Sequence, residues 1–190
     1  MLYLLFLTSH DFHEFIQARR SIRRFGEEMP PLSSIMRAIE DGMYAPSPVN
    51  SQPWYFVVVM GERERKEIEE RIEWLIPPQG KRAYIVVLWD SLKAPGWAGI
   101  ACMGACCENI LLGLHAEGLG GCWIGSIKEK DSLRTILKIP QHLSIFSIIA
   151  CGYPQEKPLI ETGEGRPYLD KKKVLHVPKV PVKERVRVIK

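Results

Sequence analysis

No GxGxxG turn follows an apolar run anywhere in this 190-residue chain, which removes the Rossmann type of dinucleotide site. Cysteine is scarce and badly spaced for metal. Cys102, Cys106, Cys107, Cys122 and Cys151 are odd in number, form no CxxC pair and sit among apolar neighbours. That excludes a secreted disulfide framework and makes small buried hydrophobes the expected role, ahead of metal or iron–sulfur ligation. A long hydrophobic leader is missing too. The opening MLYLLFL is seven apolar residues with no preceding positive charge, too short for a membrane span or a signal peptide. A cytoplasmic protein is expected, with residues 1–10 as an N-terminal extension. Internal repeats and low-complexity linkers are also absent.

Acidic residues are missing from two places. The net charge is +4, but residues 171–190 balance at +7 with Glu184 as their one acid, so the first 170 residues stand at −3. The basic excess belongs to the tail, and the body lacks the dense basic face that a nucleic-acid binder needs. The second place is ARRSIRRF, residues 18–25, four arginines with no carboxylate among them. A helix C-terminus, a nucleic-acid contact and a phosphate pocket would each favour such a cluster.

What is present reads as one α+β domain. Phe12, Phe15, Ile16 and Arg19 recur at helical spacing over 11–20, with Asp11 as cap. Leu32, Ile35, Met36 and Ile39 mark a second helix that Gly42 stops. WYFVVVM (54–60), AYIVVLWD (83–90) and SIFSIIACGYP (144–154) are apolar runs of the kind found in strands buried on both faces. Ile68, Ile72 and Leu75 stripe a charged helix over 62–76. Residues 98–118 are apolar nearly all round and predict a central helix packed on every side. Leu133, Ile136 and Leu137 mark a small helix. In the tail, Arg185, Val186, Arg187 and Val188 alternate as an edge or exchanged strand would.

Three stretches carry chemistry. Arg19, Arg20, Ser21 and Arg23 supply guanidinium forks and a hydroxyl suited to phosphate oxygens. APSPVNSQPW (45–54) sets the amides of Asn50 and Gln52 among rigid prolines, suited to a planar heterocycle edge, though a plain loop entering a strand reads similarly. GLGGCWIGSI (118–127) has glycines that let backbone amides approach a ligand, or that simply connect a helix to a strand.

Taken in order and spacing, RRSIRRF, APSPVNSQPW, LHAEGLGGCWIGSI and ACGYP resemble the FMN-dependent nitroreductase family over roughly residues 11–170. The resemblance implies a central mixed, mostly antiparallel sheet flanked by helices, an FMN-binding domain over 11–170, a basic arm over 171–190 and an interlocked homodimer with FMN at the interface. It further implies that Arg19, Arg20 and Ser21 hold the phosphate and ribityl chain, and that Arg23 lies near the pyrimidine edge. Pro46, Ser47, Pro48 and Asn50 would come from the other subunit. Ile124, Gly125 and Ser126 would face flavin N5, and Arg166 in GEGRPYLD would reach the phosphate.

The activity so implied is reduction of nitroaromatic or quinone-type small-molecule acceptors at NAD(P)H expense. The flavin would do the chemistry, with no protein acid or base and no metal. A dehalogenase or dehydrogenase of the same fold is the alternative, and a basic nucleic-acid module a more distant one. Between the first two strands the chain has only a short helix where larger family members insert a longer excursion, so substrate-covering contacts are unassigned there.

Overall fold

The computed structural model describes residues 8–73 and 78–189. In chain order the elements are α1 (Ser9–Ala18), α2 (Leu32–Met43), β1 (Trp54–Val59), α3 (Glu62–Arg71), β2 (Ala83–Trp89), α4 (Gly96–Ala116), β3 (Gly120–Ile124), α5 (Lys130–Ile136), β4 (Ser144–Gly152), β5 (Leu159–Thr162), β6 (Tyr168–Leu169) and β7 (Leu175–Lys179). The three expected strands form, together with a fourth, β3. They pair in the order β1-β2-β4-β3, antiparallel throughout.

Strand alternation divides the core in two. Ile85, Val87, Ile149 and Cys151 point toward α2 and α4, where Ile35, Ala38, Met103, Cys106, Cys107 and Ile110 meet them. Tyr84, Val86, Ile148 and Ala150 point the other way, onto Ile22, Phe25, Ile68 and Leu133. β2 is buried on both faces as its sequence demands, whereas β1 is only partly buried because it is the sheet's edge. Gly42 lies inside α2 rather than after it. A Cβ there would fall 2.4 Å from Ile110 Cγ1, so the residue is selected by the close α2–α4 crossing.

Several expectations shift. α1 begins two residues early, capped by Thr8, with Asp11 closing a reciprocal capping box from the N3 position. α3 ends at Arg71 because Ile72 is extended and bridges Ile127, so it stays in the core without being helical. Leu75, expected on that helix, lies outside the described residues, as does most of the 1–10 extension. The N-terminal part of α4 is not packed all round: Trp97 is 83% exposed and Ile100 is exposed with it. The tail strand also forms elsewhere. Residues 185–188 follow a 3₁₀ turn (Val182–Glu184) and have no strand structure. The strand is instead β7, which pairs with β5 in parallel and β6 antiparallel in a second, small sheet. That earlier position has the better alternation, Leu175, Val177 and Lys179 on one side and His176 and Pro178 on the other.

Candidate active site

The arginine segment does not continue α1. Arg19 ends the helix with extended torsions (φ −58°, ψ 136°), and the residues after it run along the large sheet. Ser21 bridges Gly121 in parallel, and the Ile22 amide donates to the Gly121 carbonyl at 3.0 Å. The Phe25 amide donates to the Gln79 carbonyl at 2.9 Å, and the Gln79 amide to the Arg23 carbonyl at 3.1 Å. The spacing of Ile22 and Phe25 fits this path, since both are buried while the arginines between and before them are half-buried. A helix-dipole role therefore reaches Arg19 at most.

The glycines of GLGGCWIGSI make this approach possible. A Cβ on Gly120 would lie 2.7 Å from Ile22 Cβ, and one on Gly121 would lie 2.6 Å from Leu111 Cδ2. Those two glycines serve packing of β3, a strand their presence had hidden. Gly125, by contrast, would meet nothing within 4 Å and leaves its backbone open.

Around the arginines lies a cleft of about 170 Å³. Arg19, Arg20, Ser21 and Arg23 form one wall; Pro158, Ile160, Pro167, Leu175, Val177 and Lys179, from the small sheet and its approaches, form the other. Arg19 is oriented from α4: its Nε donates to Glu108 Oε1 at 3.1 Å. Arg20 Nη1 donates to the Gln17 carbonyl and, at 2.7 Å, to that of Arg19. Glu156 accepts from the backbone amides of Arg23 and Arg24, pinning the turn. On this wall, Arg19 Nη1 and Arg20 Nε are buried donors without a partner among the described residues. Burial, and then the neighbouring Arg19 charge, pull Arg20 below its ordinary value. Burial and then the same two arginines push His115, whose ring lies tilted against Phe15 at 4.9 Å, below the usual imidazole range. Buried donors normally find acceptors. Unfilled guanidinium donors in a positive cleft are complementary to an anion with several oxygens.

The other expected site residues lie apart from this cleft. Pro46, Ser47 and Pro48 line a shallow apolar depression of about 310 Å³ with Trp97, Ala98, Ala101, Cys102 and Ala105. Asn50 (φ 57°) and Gln52 (φ 44°) are left-handed, and so is Val49 (φ 46°), a β-branched residue that is 98% exposed. Such a conformation costs about 1–3 kcal/mol and persists where surroundings or function impose it. Ile124 is buried at the end of β3, while Gly125 and Ser126 are exposed beyond it; the Ser126 carbonyl accepts from the Glu73 amide at 3.1 Å. Arg166 is exposed and does not line the cleft, although its neighbour Pro167 does. Glu108, Glu156 and Lys179 were missed. Only Lys179 had a local signal, its period-two relation to Leu175 and Val177.

The cysteines pack as core. Burial raises the thiols of Cys106 and Cys151 to about 12 and Cys107 to about 11, and Cys102 Sγ donates to the Gly99 carbonyl at 3.1 Å. Such thiols are poor nucleophiles.

Known proteins resemble this chain in sequence and in fold. A provisionally named NADH dehydrogenase/NAD(P)H nitroreductase of Methanothermobacter thermautotrophicus is 35% identical over 157 residues, covering 80% of this chain and 82% of its own. An iodotyrosine deiodinase of Thermotoga neapolitana is 22% identical over 173 residues, covering 76% of this chain and 89% of its own. Among solved structures, a provisionally named nitroreductase of Desulfovibrio desulfuricans in complex with FMN superposes with a TM-score of 0.73 at 27% identity, covering 84% of this chain and 94% of its own. The nitroreductase family profile matches residues 16–103 and 80–153, a span that holds the arginine segment, the proline loop and all four strands of the large sheet. On the strength of that span, this chain belongs to the nitroreductase family.

Proposed function

We propose that the protein is an FMN-dependent oxidoreductase that accepts electrons from NAD(P)H and passes them, by a ping-pong route, to a nitroaromatic or quinone-type acceptor. The observation that carries the cofactor assignment is the convergence of Arg19, Arg20, Ser21 and Arg23 on one wall of the cleft, with Arg19 Nη1 and Arg20 Nε buried and without a partner among the described residues. A phosphomonoester supplies the several anionic oxygens that such donors require, in the bidentate manner guanidinium favours. When bound, FMN would supply hydride acceptance and donation at its N5.

The chain's own residues bind and orient. Arg19, held by Glu108, and Arg20 take the phosphate, and Ser21 offers its hydroxyl beside them. Arg23 stands one turn of extended chain further on, where a cation would stabilise negative charge on a reduced ring. Ile124, Gly125 and Ser126 supply a backbone edge at the end of β3. Arg166, exposed beside the cleft-lining Pro167, would have to turn inward to add a further cation to the phosphate.

A cleft of about 170 Å³ is smaller than the roughly 300–1,000 Å³ of a complete ligand pocket. It suits the phosphate end, so the ring must rest on a surface completed by a second chain. The exposed apolar side chains of Trp97, Ile100 and Val49, around Pro46, Ser47, Pro48 and Asn50, are suited to entering a partner's site. A homodimer is therefore part of this reading, with 11–170 as the flavin domain and 171–190 as a tail arm. A nucleic-acid role is disfavoured because Arg185 is paired with Glu164 at 2.9 Å and Lys179 faces the cleft.

The alternative is reductive dehalogenation on the same scaffold, favoured by the deiodinase relative. The test is anaerobic. Purified protein should be yellow, and NADH or NADPH should bleach it; nitroaromatics, quinones and a halotyrosine are then compared for reoxidation. Colourless protein that fails to take up FMN would overturn the cofactor assignment, and rapid reoxidation by the halotyrosine alone would favour the alternative.

A further inference from the structure

The small sheet lies beyond Tyr153, where the family match ends, and its two faces differ in chemistry. Ile160 stands opposite Val177, and both line the cleft with Leu175; His176, between Leu175 and Val177, points the other way by strand alternation. On that outer face its ring is the centre of a cluster drawn from both neighbouring strands. Nδ1 is hydrogen-bonded to Glu161 of β5. Asp170, in the turn that joins β6 to β7, places Oδ2 3.4 Å from Nε2 without hydrogen-bond alignment. Tyr168 of β6 stacks on the ring at 4.9 Å and donates its hydroxyl to Glu161 at 3.0 Å. The His176 side chain is only 14% exposed, and among the described residues these two carboxylates are the charged groups at ion-pair distance from it. Such a site is made for imidazolium, which has an N–H for each carboxylate. A neutral ring has one. With its proton on Nδ1 it keeps Glu161 and turns the Nε2 lone pair toward the Asp170 carboxylate, so the outer face then holds two anions and one donor.

We propose that His176 is a proton-operated latch on the cleft: as imidazolium it clasps β5, β7 and the β6–β7 turn together, and its deprotonation loosens the wall of Ile160, Leu175 and Val177 and so weakens the hold on bound FMN. This rests on the FMN reading and adds a control to it. The coupling is short-range, because the latch and the wall are opposite faces of the same strands. Its direction follows from the surroundings of the ring. The Glu161 hydrogen bond first, against the opposing effect of burial, and then Asp170 hold the imidazole above its usual value. The latch is therefore fully closed below the ordinary histidine value of about 6.5 and opens as pH rises through the raised one. By reciprocity, an occupied cleft should make His176 hold its proton more tightly.

The experiment measures FMN dissociation constants by fluorescence titration of the apoprotein at about pH 7 and about pH 9, both above the second phosphate ionisation near about 6, so that the ligand keeps its charge. The parent should bind about fivefold or more weakly at the higher pH, the lower end of ordinary coupling between two sites. His176→Phe retains a ring on Tyr168 but cannot titrate, and should bind equally at both. Asp170→Asn retains an oxygen for the Lys172 and Val174 amides and offers Nε2 a donor, so it too should lose the alkaline weakening. His142→Gln, an exposed histidine elsewhere, should behave as the parent. Equal parent affinities at the two pH values, or an alkaline weakening that survives in His176→Phe, would overturn the latch and leave the cofactor reading standing. Should His176→Phe not fold, Asp170→Asn decides alone: weakening as large as in the parent would overturn the latch. A parent that takes up no FMN at the lower pH fails the cofactor reading, and this inference with it.

Discussion

Glu108 Oε1 sits 3.1 Å from Arg19 Nε, joining the middle of α4 to the residue that ends α1 across 89 positions of chain. The carboxylate takes Nε, and Nη1 is buried without a partner among the described residues. Removal of Arg19 or Arg20 should therefore cost flavin affinity directly. Arg19→Ala and Arg20→Ala are each expected to raise the FMN dissociation constant about ten- to a hundredfold, from about 1.5–3 kcal/mol per charge-assisted contact. Glu108→Gln, which retains an acceptor oxygen, should cost less than either. Equilibrium dialysis decides: stoichiometric flavin retained by the Arg19→Ala/Arg20→Ala double variant would refute the assignment.

Gly121→Val is expected to damage both the fold and the site. The added atoms would enter the space held by Leu111 and Leu114, push β3 off α4 and so disturb its bridge to Ser21. Overpacking of this kind costs about 1–3 kcal/mol. Urea unfolding should show the loss, whereas Gly125→Ala, with open space around it, should unfold like the parent.

Assembly gives a third expectation. Trp97 is 83% exposed and borders the depression lined by Pro46 and Pro48, so Trp97→Glu should leave an isolated subunit's stability nearly unchanged. If that surface meets a second subunit, the variant should sediment as a monomer and lose flavin on dilution. A monomer that keeps its FMN would count against a shared site.

The small sheet should respond to pH through His176. Its ring lies between Glu161, hydrogen-bonded to Nδ1, and Asp170, whose Oδ2 is 3.4 Å from Nε2 without hydrogen-bond alignment; it stacks on Tyr168 at 4.9 Å. Glu161 first, and Asp170 after it, hold the imidazole above its usual value. The stabilisation is thus fully present below the ordinary histidine value of about 6.5 and is lost as pH rises through the raised one. Hydrogen bonding from His176 lowers Glu161, and that from the Val174 amide lowers Asp170, so their contribution fades instead as acid protonates them. Proteolysis of the tail should accelerate on the alkaline side in the parent. In His176→Phe the rate should be insensitive to pH over that window; a parent rate equally flat would refute the linkage.

Much of this was written locally. β2 and β4 follow from β-branched runs, α2 from its spacing, α4 from its nearly continuous apolar stretch, and the phosphate role of the arginines only from the family resemblance. β3 is obscured because Gly120 and Gly121 weaken a strand signal, and the need for Gly120 lies in Ile22, far away in sequence, while that for Gly121 lies in Leu111 on the packed face of α4. The alternating valines at 186 and 188 predict a tail strand, but among the described residues the tail pairs at 175–179, opposite β5 and β6.

The sequence by itself determined three of the four strands of the large sheet, the family resemblance and a cationic segment at 18–25, because periodicity, turn chemistry and residue type act over a few neighbouring positions. Tertiary structure alone decided which arginine donors stay unpaired, that Glu108 and Glu156 hold the segment from 89 and 133 residues away, and that Lys179 rather than Arg166 lines the cleft. Those outcomes depend on which distant surfaces meet and which polar groups they leave without partners, and only closure of the fold settles that.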